Sequence, residues 1–239
     1  MSEDNLPKRA EGDLPESQGE EMTAPAHKAF AVTKGIWSRG TGDTSGYGGM
    51  TRTLQMPGES EPPFEDDAAD AIFNRALEVE PSLRGTRVLY DRGELTIYVD
   101  RAELPAVVKA FRDDAFLRFE ICMSVSGVHY PQETGAELHA VYHLISITHN
   151  RRVRLEVTCP EADPHIPSVV ATYPMADWHE RETWDLFGIQ FDGHPALTRI
   201  LMPDDWEGHP QRKDYPLGGV DVEYKGAKVP APDNRRTYA

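Results

Sequence analysis

The stretch at residues 138–157, LHAVYHLISITHNRRVRLEV, contains two strand-like runs separated by a short turn. The first run, about Leu138–Thr148, is apolar on both sides, as in a central strand of a sheet. The second run alternates charged and apolar side chains in the order Arg152, Val153, Arg154, Leu155, Glu156 and Val157. Such alternation is typical of a strand with one buried face. Because residues 149–151 are few enough for a tight turn, the stretch predicts a β-hairpin.

The chain before this hairpin continues to alternate between helices and strands. Residues 120–125 alternate polar with apolar side chains and predict a preceding strand. Further upstream, the spacing of apolar residues predicts a helix that begins near residue 65 and stops at Pro81. A two-stranded hairpin is predicted around residues 91–93, and a second helix is predicted to begin close to Pro105. This order predicts an α+β domain, with a mostly antiparallel sheet and helices on one face.

The chain after the hairpin is predicted to form one more helix and then an irregular arm. The helix spans about Ala176–Phe187 and ends at Gly188. One stripe of this helix is predicted to contain Trp178, Glu182, Asp185 and Ile189. Periodicity disappears after Gly188, and so long an irregular segment is unusual inside a compact domain. We therefore predict an α+β domain over residues 64–190 and an extended arm over residues 191–239 that docks on another protein.

The N-terminal segment, residues 1–63, differs from the rest in composition. Residues 1–70 hold 14 acidic and 6 basic residues, which is more than half of the net charge of −15 in the 239-residue chain. Few large apolar residues accompany this charge, and glycine and proline are frequent. We predict a flexible acidic extension. The glycines at residues 40–49 lack the spacing of a nucleotide-binding loop and are predicted to be a linker.

Composition excludes several classes of function. The acidic balance argues against a general nucleic-acid binder, and no apolar run approaches the roughly 18 residues of a membrane span. The mean hydropathy is −0.55, and the first residues lack the apolar segment of a secretory signal. With only Cys122 and Cys159, the chain holds too few thiols for an Fe–S cluster or a disulfide scaffold, so both are predicted to be small apolar residues.

Two histidine patterns resemble metal sites but are weak. His139 and His143 lie on one predicted strand, roughly 13 Å apart at about 3.3 Å per residue, which is too far for one ion to bridge. The tripeptide Gly-His-Pro occurs at residues 193–195 and 208–210, where turn and docking roles are better supported than metal binding. We predict no metal site in this chain.

The predicted third helix concentrates charge between large aromatic residues. Its acidic and basic residues are Glu180, Arg181, Glu182 and Asp185. A carboxylate pair for acid–base catalysis, a solvated face and an interface with another protein are three interpretations of this cluster. Composition alone ranks the interface and the solvated face about equally, and both above catalysis.

Residues 180–216 read ERETWDLFGIQFDGHPALTRILMPDDWEGHPQRKDYP. This stretch closely resembles the signature region of the 30-kDa subunit family of respiratory complex I, also called the C subunit of NADH-quinone oxidoreductase. The resemblance is carried by Glu180-Arg181-Glu182, Asp185, Gly188-Ile189, Phe191, Gly193-His194-Pro195, Leu197, Arg199-Ile200-Leu201, Trp206, Gly208, Pro210 and Arg212-Lys213-Asp214-Tyr215-Pro216. So many matches in order are far more specific than a single glycine motif.

The resemblance implies a structural subunit in the hydrophilic arm of a proton-translocating NADH-quinone oxidoreductase, at the cytoplasmic face of the cell inner membrane. Such a subunit carries no cofactor itself, because FMN, Fe–S clusters and quinone belong to partner subunits. Its implied partners are the hydrogenase-like D subunit and the iron–sulfur I subunit, through which it associates with the membrane. The isolated chain is expected to have no activity.

The resemblance also implies no catalytic, cofactor-binding or metal-binding residue, and an inter-subunit interface within the signature. The expected interface residues are Glu180, Arg181, Glu182, Trp184, Asp185, Phe187, Phe191, His194, Pro195, Arg199, Trp206, Arg212, Lys213, Asp214, Tyr215 and Pro216. Alternatives are a homologous subunit of a membrane-bound hydrogenase or another quinone-linked dehydrogenase complex, a soluble hydrolase that uses Glu180 and Glu182 or a His–Asp site, and a free-standing acidic binding module.

Overall fold

The computed structural model describes residues 58–216 in full. Outside that range it describes the strands β1 (Lys28–Lys34), β2 (Thr51–Met56), β10 (Val222–Tyr224) and β11 (Ala227–Val229). Strands β1 and β2 form an antiparallel pair inside the segment predicted to be flexible, and β10 pairs with β11. The glycine-rich linker predicted at residues 40–49 and most of the predicted arm after residue 216 lie outside the described residues.

The remaining elements follow the predicted order. They are α1 (Asp67–Val79), β3 (Val88–Asp91), β4 (Glu94–Tyr98), α2 (Leu104–Asp113), β5 (Ile121–His129), β6 (Leu138–Ser146), β7 (Arg151–Cys159), β8 (His165–Pro167), α3 (Ala176–Phe187) and β9 (Gln190–Asp192). A short 3₁₀ turn, Pro81–Leu83, follows α1. The helix, hairpin and strand predictions for residues 65–188 are confirmed, whereas β8 and β9, a short parallel pair on either side of α3, were not predicted.

Local signals explain where these elements begin and end. Asp66 caps α1 by accepting a hydrogen bond from the Ala68 N–H at 2.9 Å. Between β3 and β4, Arg92 and Gly93 have φ values of 54° and 80°, the left-handed conformation of a two-residue hairpin turn. Gly188, with φ of 84°, ends α3. These ends were predictable because each depends on neighbouring residues only.

The central sheet has five strands in the order β3-β4-β7-β6-β5. Three of its four pairings are antiparallel, which confirms a mostly antiparallel sheet, and β4 pairs with β7 in parallel. That parallel pairing sets Ile97 opposite Leu155, although the two residues are far apart in sequence. Adjacent hairpins could not predict it, because strand pairing across a long insertion depends on tertiary packing.

One face of the sheet carries the helices. Val153, Leu155 and Val157 of β7 are buried on this face, as their alternation predicted, and they join one core with apolar residues of all three helices. The opposite face, which we call the open face, carries the charged residues of β7 together with His139 and His143 of β6, of which His139 is buried and His143 is partly buried. This arrangement leaves α3 on the core side, at the outer strand of the sheet.

The residues of the stripe predicted on α3 differ in burial. Trp178 is 61% exposed and Glu182 is also exposed, whereas Asp185 and Ile189 are fully buried. The buried side of the helix instead contains Ala176, Glu180, Thr183, Leu186 and Phe187. Helical spacing predicted only that these residues share one stripe and could not show which of them are buried, and here two carboxylates, Glu180 and Asp185, are buried with hydrogen-bond partners.

Candidate functional site

Helix α3 lies against β5 at a point where the strand has no side chain. A Cβ atom on Gly127 would lie within 2.8 Å of Phe187 Cγ, so the ring occupies the space above the glycine. Nearby, the Thr183 hydroxyl donates to the Val125 carbonyl at 3.3 Å. The close approach of helix and strand therefore depends on glycine at residue 127.

Replacing Gly127 with alanine is expected to reduce the free energy of unfolding by about 1–3 kcal/mol, because the methyl group displaces a buried ring from a filled core. Urea unfolding of the full chain measures the loss. Ser126→Ala, at the exposed neighbouring position of the same strand, is the matched control and should change stability by less than about 0.5 kcal/mol. Phe187→Leu should recover part of the loss in the Gly127→Ala background. Equal stabilities of the two alanine variants would contradict the proposed clash.

Glu180 is buried on the core side of α3. It accepts hydrogen bonds from the Ser168 hydroxyl at 2.6 Å and the Val169 N–H at 2.8 Å. Burial raises the pKa of Glu180 to about 7, despite the two hydrogen bonds that favour its charged form. Glu182 is exposed, on a different side of the helix. The two carboxylates therefore do not converge on one site, which argues against the acid–base pair.

Asp185 is enclosed by the arm that follows α3. One carboxylate oxygen, Oδ2, accepts three backbone hydrogen bonds of 2.8–3.0 Å, from the N–H groups of Ile200, Leu201 and Met202. The other, Oδ1, accepts from Arg199 Nη1 at 2.6 Å. Burial alone would raise the pKa of Asp185, but these bonds outweigh it and hold the pKa below its usual range. Asp185 is thus an ionised internal anchor for the arm.

Arg199 connects this anchor to the next turn of the arm. Its Nη2 donates to the Trp206 carbonyl at 2.7 Å and the Gly208 carbonyl at 3.3 Å, and its guanidinium lies over the Trp184 ring at 5.7 Å. His209 Nδ1 donates to the Asp185 carbonyl at 2.9 Å. The last carbonyls of a helix have no hydrogen-bond donor within the helix. Here His209 of the arm is the donor for one of them, the carbonyl of Asp185.

The end of the described arm is held against β5. The Lys213 N–H donates to His129 Nδ1 at 2.9 Å, which requires that nitrogen to be unprotonated. Asp214 lies 3.5 Å from the same imidazole and pairs with Arg212, which also pairs with Glu161. Residues 199–215 therefore fold back on their own domain, rather than leaving it as a free arm.

A second set of side chains in this region faces outward. Trp178 is exposed and lies against the Arg181 guanidinium, with 5.0 Å between the charge and the ring. Arg181 in turn donates to the carbonyls of Thr198 and Arg199, which joins the helix surface to the arm. Leu201 is 59% exposed and Trp206 is 40% exposed. We call Trp178, Arg181, Leu201 and Trp206 the outer surface of the site.

The structure divides the sixteen predicted interface residues by burial. Four are buried inside the chain: Glu180, Asp185, Phe187 and Phe191. Six are partly buried: Arg181, Trp184, His194, Arg199, Arg212 and Tyr215. Six are exposed: Glu182, Pro195, Trp206, Lys213, Asp214 and Pro216. Most of the charged signature residues thus form ion pairs or hydrogen bonds within this chain, and the interface itself stays a prediction.

Several residues of the site were not predicted from sequence. Ser168 and Val169 hold Glu180, and His129 holds the arm, yet none belongs to a recognisable motif. Trp178 and Leu201 were left out of the expected interface because spacing cannot show which aromatic or aliphatic residue stays exposed. His209 was noted only as part of a repeated tripeptide.

Other candidate chemistry is weak in the residues described. Burial raises the pKa of Cys122 to about 12 and that of Cys159 to about 11, so neither thiol ionises near neutral pH. His139 bonds to Glu156 and His143 bonds to Ser124, in separate contacts on the open face. Among the described residues, no three His, Cys, Asp or Glu side chains converge as metal ligands, and no helix is long and apolar enough to cross a membrane.

Together, the fold and the site define an α+β domain without an evident catalytic centre in the described residues. The charged residues of its signature bind the arm to the domain, and exposed aromatic residues remain on the outer surface. The chain belongs to the family described as the 30 Kd subunit of respiratory-chain NADH dehydrogenase, whose model matches residues 97–221, just over half of the chain. The resemblance inferred from residues 180–216 is thereby confirmed.

Proteins of similar sequence align with this chain over most of its length. A protein of Nocardioides sp., named as the C subunit of NADH-quinone oxidoreductase, is 57% identical over 97% of this chain and 95% of its own length. A protein of Mycolicibacterium smegmatis with the same name is 60% identical over 88% of this chain and 90% of its own. Among solved structures, a chain of an archaeal membrane-bound sulfane sulfur reductase is 23% identical, with a TM-score of 0.54 over 63% of this chain and 87% of its own. That likeness shows the fold alone.

Proposed function

We propose that this chain is a non-catalytic structural subunit of the hydrophilic arm of a proton-translocating NADH-quinone oxidoreductase, where it helps to assemble the quinone-reducing module. The names of its relatives support this function. The observation that carries it is the identity of 57–60% over 88–97% of this chain to proteins named as the C subunit of NADH-quinone oxidoreductase. The Asp185 carboxylate, which already accepts four hydrogen bonds within the chain, supports a structural role for the signature residues.

The braced arm gives this chain a rigid surface for partners. Trp178 and Trp206 are exposed beside arginines that are already held by backbone carbonyls, so docking would order few additional side chains. Tryptophan and arginine contribute most often to binding hot spots in protein interfaces. We expect the hydrogenase-like D subunit and the iron–sulfur I subunit to be the partners, with FMN, Fe–S clusters and quinone bound in partner subunits.

The same arrangement supports an indirect association with the membrane. The chain would lie at the cytoplasmic face of the cell inner membrane and be attached through its partners. We expect the isolated chain to have no oxidoreductase activity, since its role is to hold other subunits at fixed positions.

Truncating the outer surface tests this role. The double variant Trp178→Ala, Trp206→Ala is expected to lower the amount of assembled complex at least tenfold, because each buried tryptophan in an interface typically contributes about 2 kcal/mol or more. Blue-native gels of detergent-solubilised membranes measure the complex. Ile147→Ala removes an equally exposed apolar side chain from the β6–β7 turn and serves as the control. Normal complex abundance together with lost turnover would indicate catalysis and would contradict the structural role.

A related complex is a second candidate. The archaeal membrane-bound sulfane sulfur reductase has a chain of the same fold, so this fold by itself is compatible with more than one respiratory membrane complex. A homologous subunit of a membrane-bound hydrogenase or another quinone-linked dehydrogenase would use the same packing surfaces with another electron donor. Mass spectrometry of the purified complex separates the two candidates: an NADH-binding subunit supports the leading proposal, and its absence supports the alternative.

A further inference from the structure

The open face of the sheet contains a cleft that the proposed function does not use. The cleft has a volume of about 310 Å³, within the range of ligand-sized pockets. Met123 and Ile145 form its apolar wall, Ser124 and His143 form its floor, and Arg152 and Arg154 line its other side. No described helix packs here, because the helices occupy the opposite face of the sheet.

The polar residues at the floor of the cleft form hydrogen bonds with one another. Arg154 Nε donates to His143 Nε2 at 3.2 Å, so His143 is neutral and its protonated Nδ1 donates to the Ser124 hydroxyl at 3.1 Å. Burial and the neighbouring Arg154 both lower the pKa of His143. Because this histidine cannot accept a proton from Ser124, the group is not a nucleophile and its base. The floor is better suited to binding than to reaction.

Arg152 differs from the other charged groups of the cleft. It is exposed, and its guanidinium makes no ion pair or side-chain hydrogen bond with any described residue. Arg154, by contrast, is paired with Glu94. The cleft thus combines one unpaired positive charge with an apolar wall, in a chain whose net charge is −15. Such a site is complementary to an acidic segment that also contains isolated apolar side chains.

We propose that the acidic N-terminal segment of this same chain, residues 1–27, docks in the cleft around Arg152. The segment contains seven acidic residues against two basic ones, and Leu6, Leu14 and Met22 are spaced between the charges. It has the composition that the cleft requires, since a carboxylate pairs with Arg152 while a leucine or methionine packs on Met123 and Ile145.

The point where the chain joins the sheet favours this occupant over a separate molecule. Ser60 N–H donates to the Val88 carbonyl at 2.9 Å, and the Ser60 hydroxyl bonds to the backbone of Tyr90, so the chain joins the sheet along β3. Tyr90 pairs with Leu95, the neighbour of Glu94 at the cleft. Residues 1–27 are tied to this point through residues 28–59, and they would span up to roughly 90 Å if fully extended, so the chain length permits docking. A tethered segment also has an effective concentration of about 1 mM, at which even weak contacts suffice.

Site-specific photo-crosslinking in the purified full-length chain tests the proposal. With p-benzoylphenylalanine in place of Met123, which is 49% exposed, crosslinked peptides are expected to come from residues 1–27. Arg152→Glu should lower the yield at least tenfold, and 1 M salt should also lower it, because an exposed ion pair is screened. Arg84→Glu is the matched control, since Arg84 is also exposed and its guanidinium has no described partner. Circular dichroism checks that each variant is folded.

Three results would overturn the proposal. The first is a crosslink that maps outside residues 1–27, and the second is a yield that Arg152→Glu and Arg84→Glu change equally. The third comes from a mixture of isotopically light and heavy chains: links between the two would show that a second copy occupies the cleft. The same probe in solubilised membranes extends the test, because a crosslink to another protein of the complex would make the cleft an inter-subunit contact instead.

Discussion

Replacing Asp185 with alanine is expected to lower the free energy of unfolding of this chain by about 3–5 kcal/mol, the usual effect of removing one partner from a buried ion pair. The substitution leaves the Arg199 Nη1 without its carboxylate partner and three backbone N–H groups without an acceptor. Because a domain of this size is stable by about 5–15 kcal/mol, the loss is a large fraction of the total. The arm over residues 199–209 should detach first, because it loses all four of its bonds to the Asp185 carboxylate and keeps only its bonds to other groups of α3, such as Arg181.

Urea unfolding and hydrogen exchange of the full chain together measure this effect. The amides of residues 200–202 should exchange far faster in Asp185→Ala, whereas those of β6 should lose protection only in proportion to global stability. Glu182→Ala removes an exposed acid from the same helix and is the control, with a change below about 0.5 kcal/mol. Equal stabilities of the two variants would show that the Asp185 cage contributes little.

The second large effect concerns the pH dependence of stability. Glu180 has an unfolded pKa of 4.5, and burial raises its folded pKa to about 7. The folded state therefore holds a proton that the unfolded state releases between pH 4.5 and 7, so this contribution to stability is complete below pH 4.5 and is lost as pH rises to 7. By linkage, the loss amounts to about 3 kcal/mol. Glu180→Gln keeps an acceptor for the Val169 N–H but cannot ionise, so it should remove this loss.

Thermal unfolding between about pH 2 and 8 checks the prediction, because this window brackets the unfolded and folded pKa values of Glu180 and also covers the range in which Glu120 titrates. The wild-type chain should lose stability relative to Glu180→Gln as pH rises, and the variant should be the more stable of the two at the alkaline end. Glu120→Gln is a control of opposite sign. A hydrogen bond from the Thr148 hydroxyl lowers the pKa of Glu120 from 4.5 to about 2, so its contribution is present above pH 4.5 and is lost as pH falls. Parallel pH profiles for wild type and Glu180→Gln would exclude a raised pKa at Glu180.

Elements controlled by nearby residues were predictable from the sequence. The turn at Arg92-Gly93, the start of α2 at Pro105 and the end of α3 at Gly188 each depend on the conformational preferences of one or two residues. Strand β7 was predictable because apolar side chains occur at every second residue, which is typical of a strand with one buried face. The signature at residues 180–216 identified the family, because a family match depends on which residues occur and in what order, and not on their positions in space.

The candidate site was predictable only as a set of residues. Glu180, Asp185 and Arg199 were expected to meet other subunits, and in the structure each has partners within the chain. Sequence spacing cannot tell whether a charged group will meet a partner from its own chain or from another. Conversely, Trp178 and Leu201 are exposed, and nothing in the sequence pattern distinguished them from buried apolar residues.

By itself, therefore, the sequence determined the family, the α+β class and the ends of most helices and strands, because these follow from residue identity and short-range backbone preference. The tertiary structure alone decided the parallel pairing of β4 with β7, the burial of two carboxylates on α3 and the separation of an open sheet face from the core. Each of these depends on contacts between residues that are far apart in sequence. For the two carboxylates, the cost of removing a charge from water is offset only when hydrogen-bond partners from distant residues surround it.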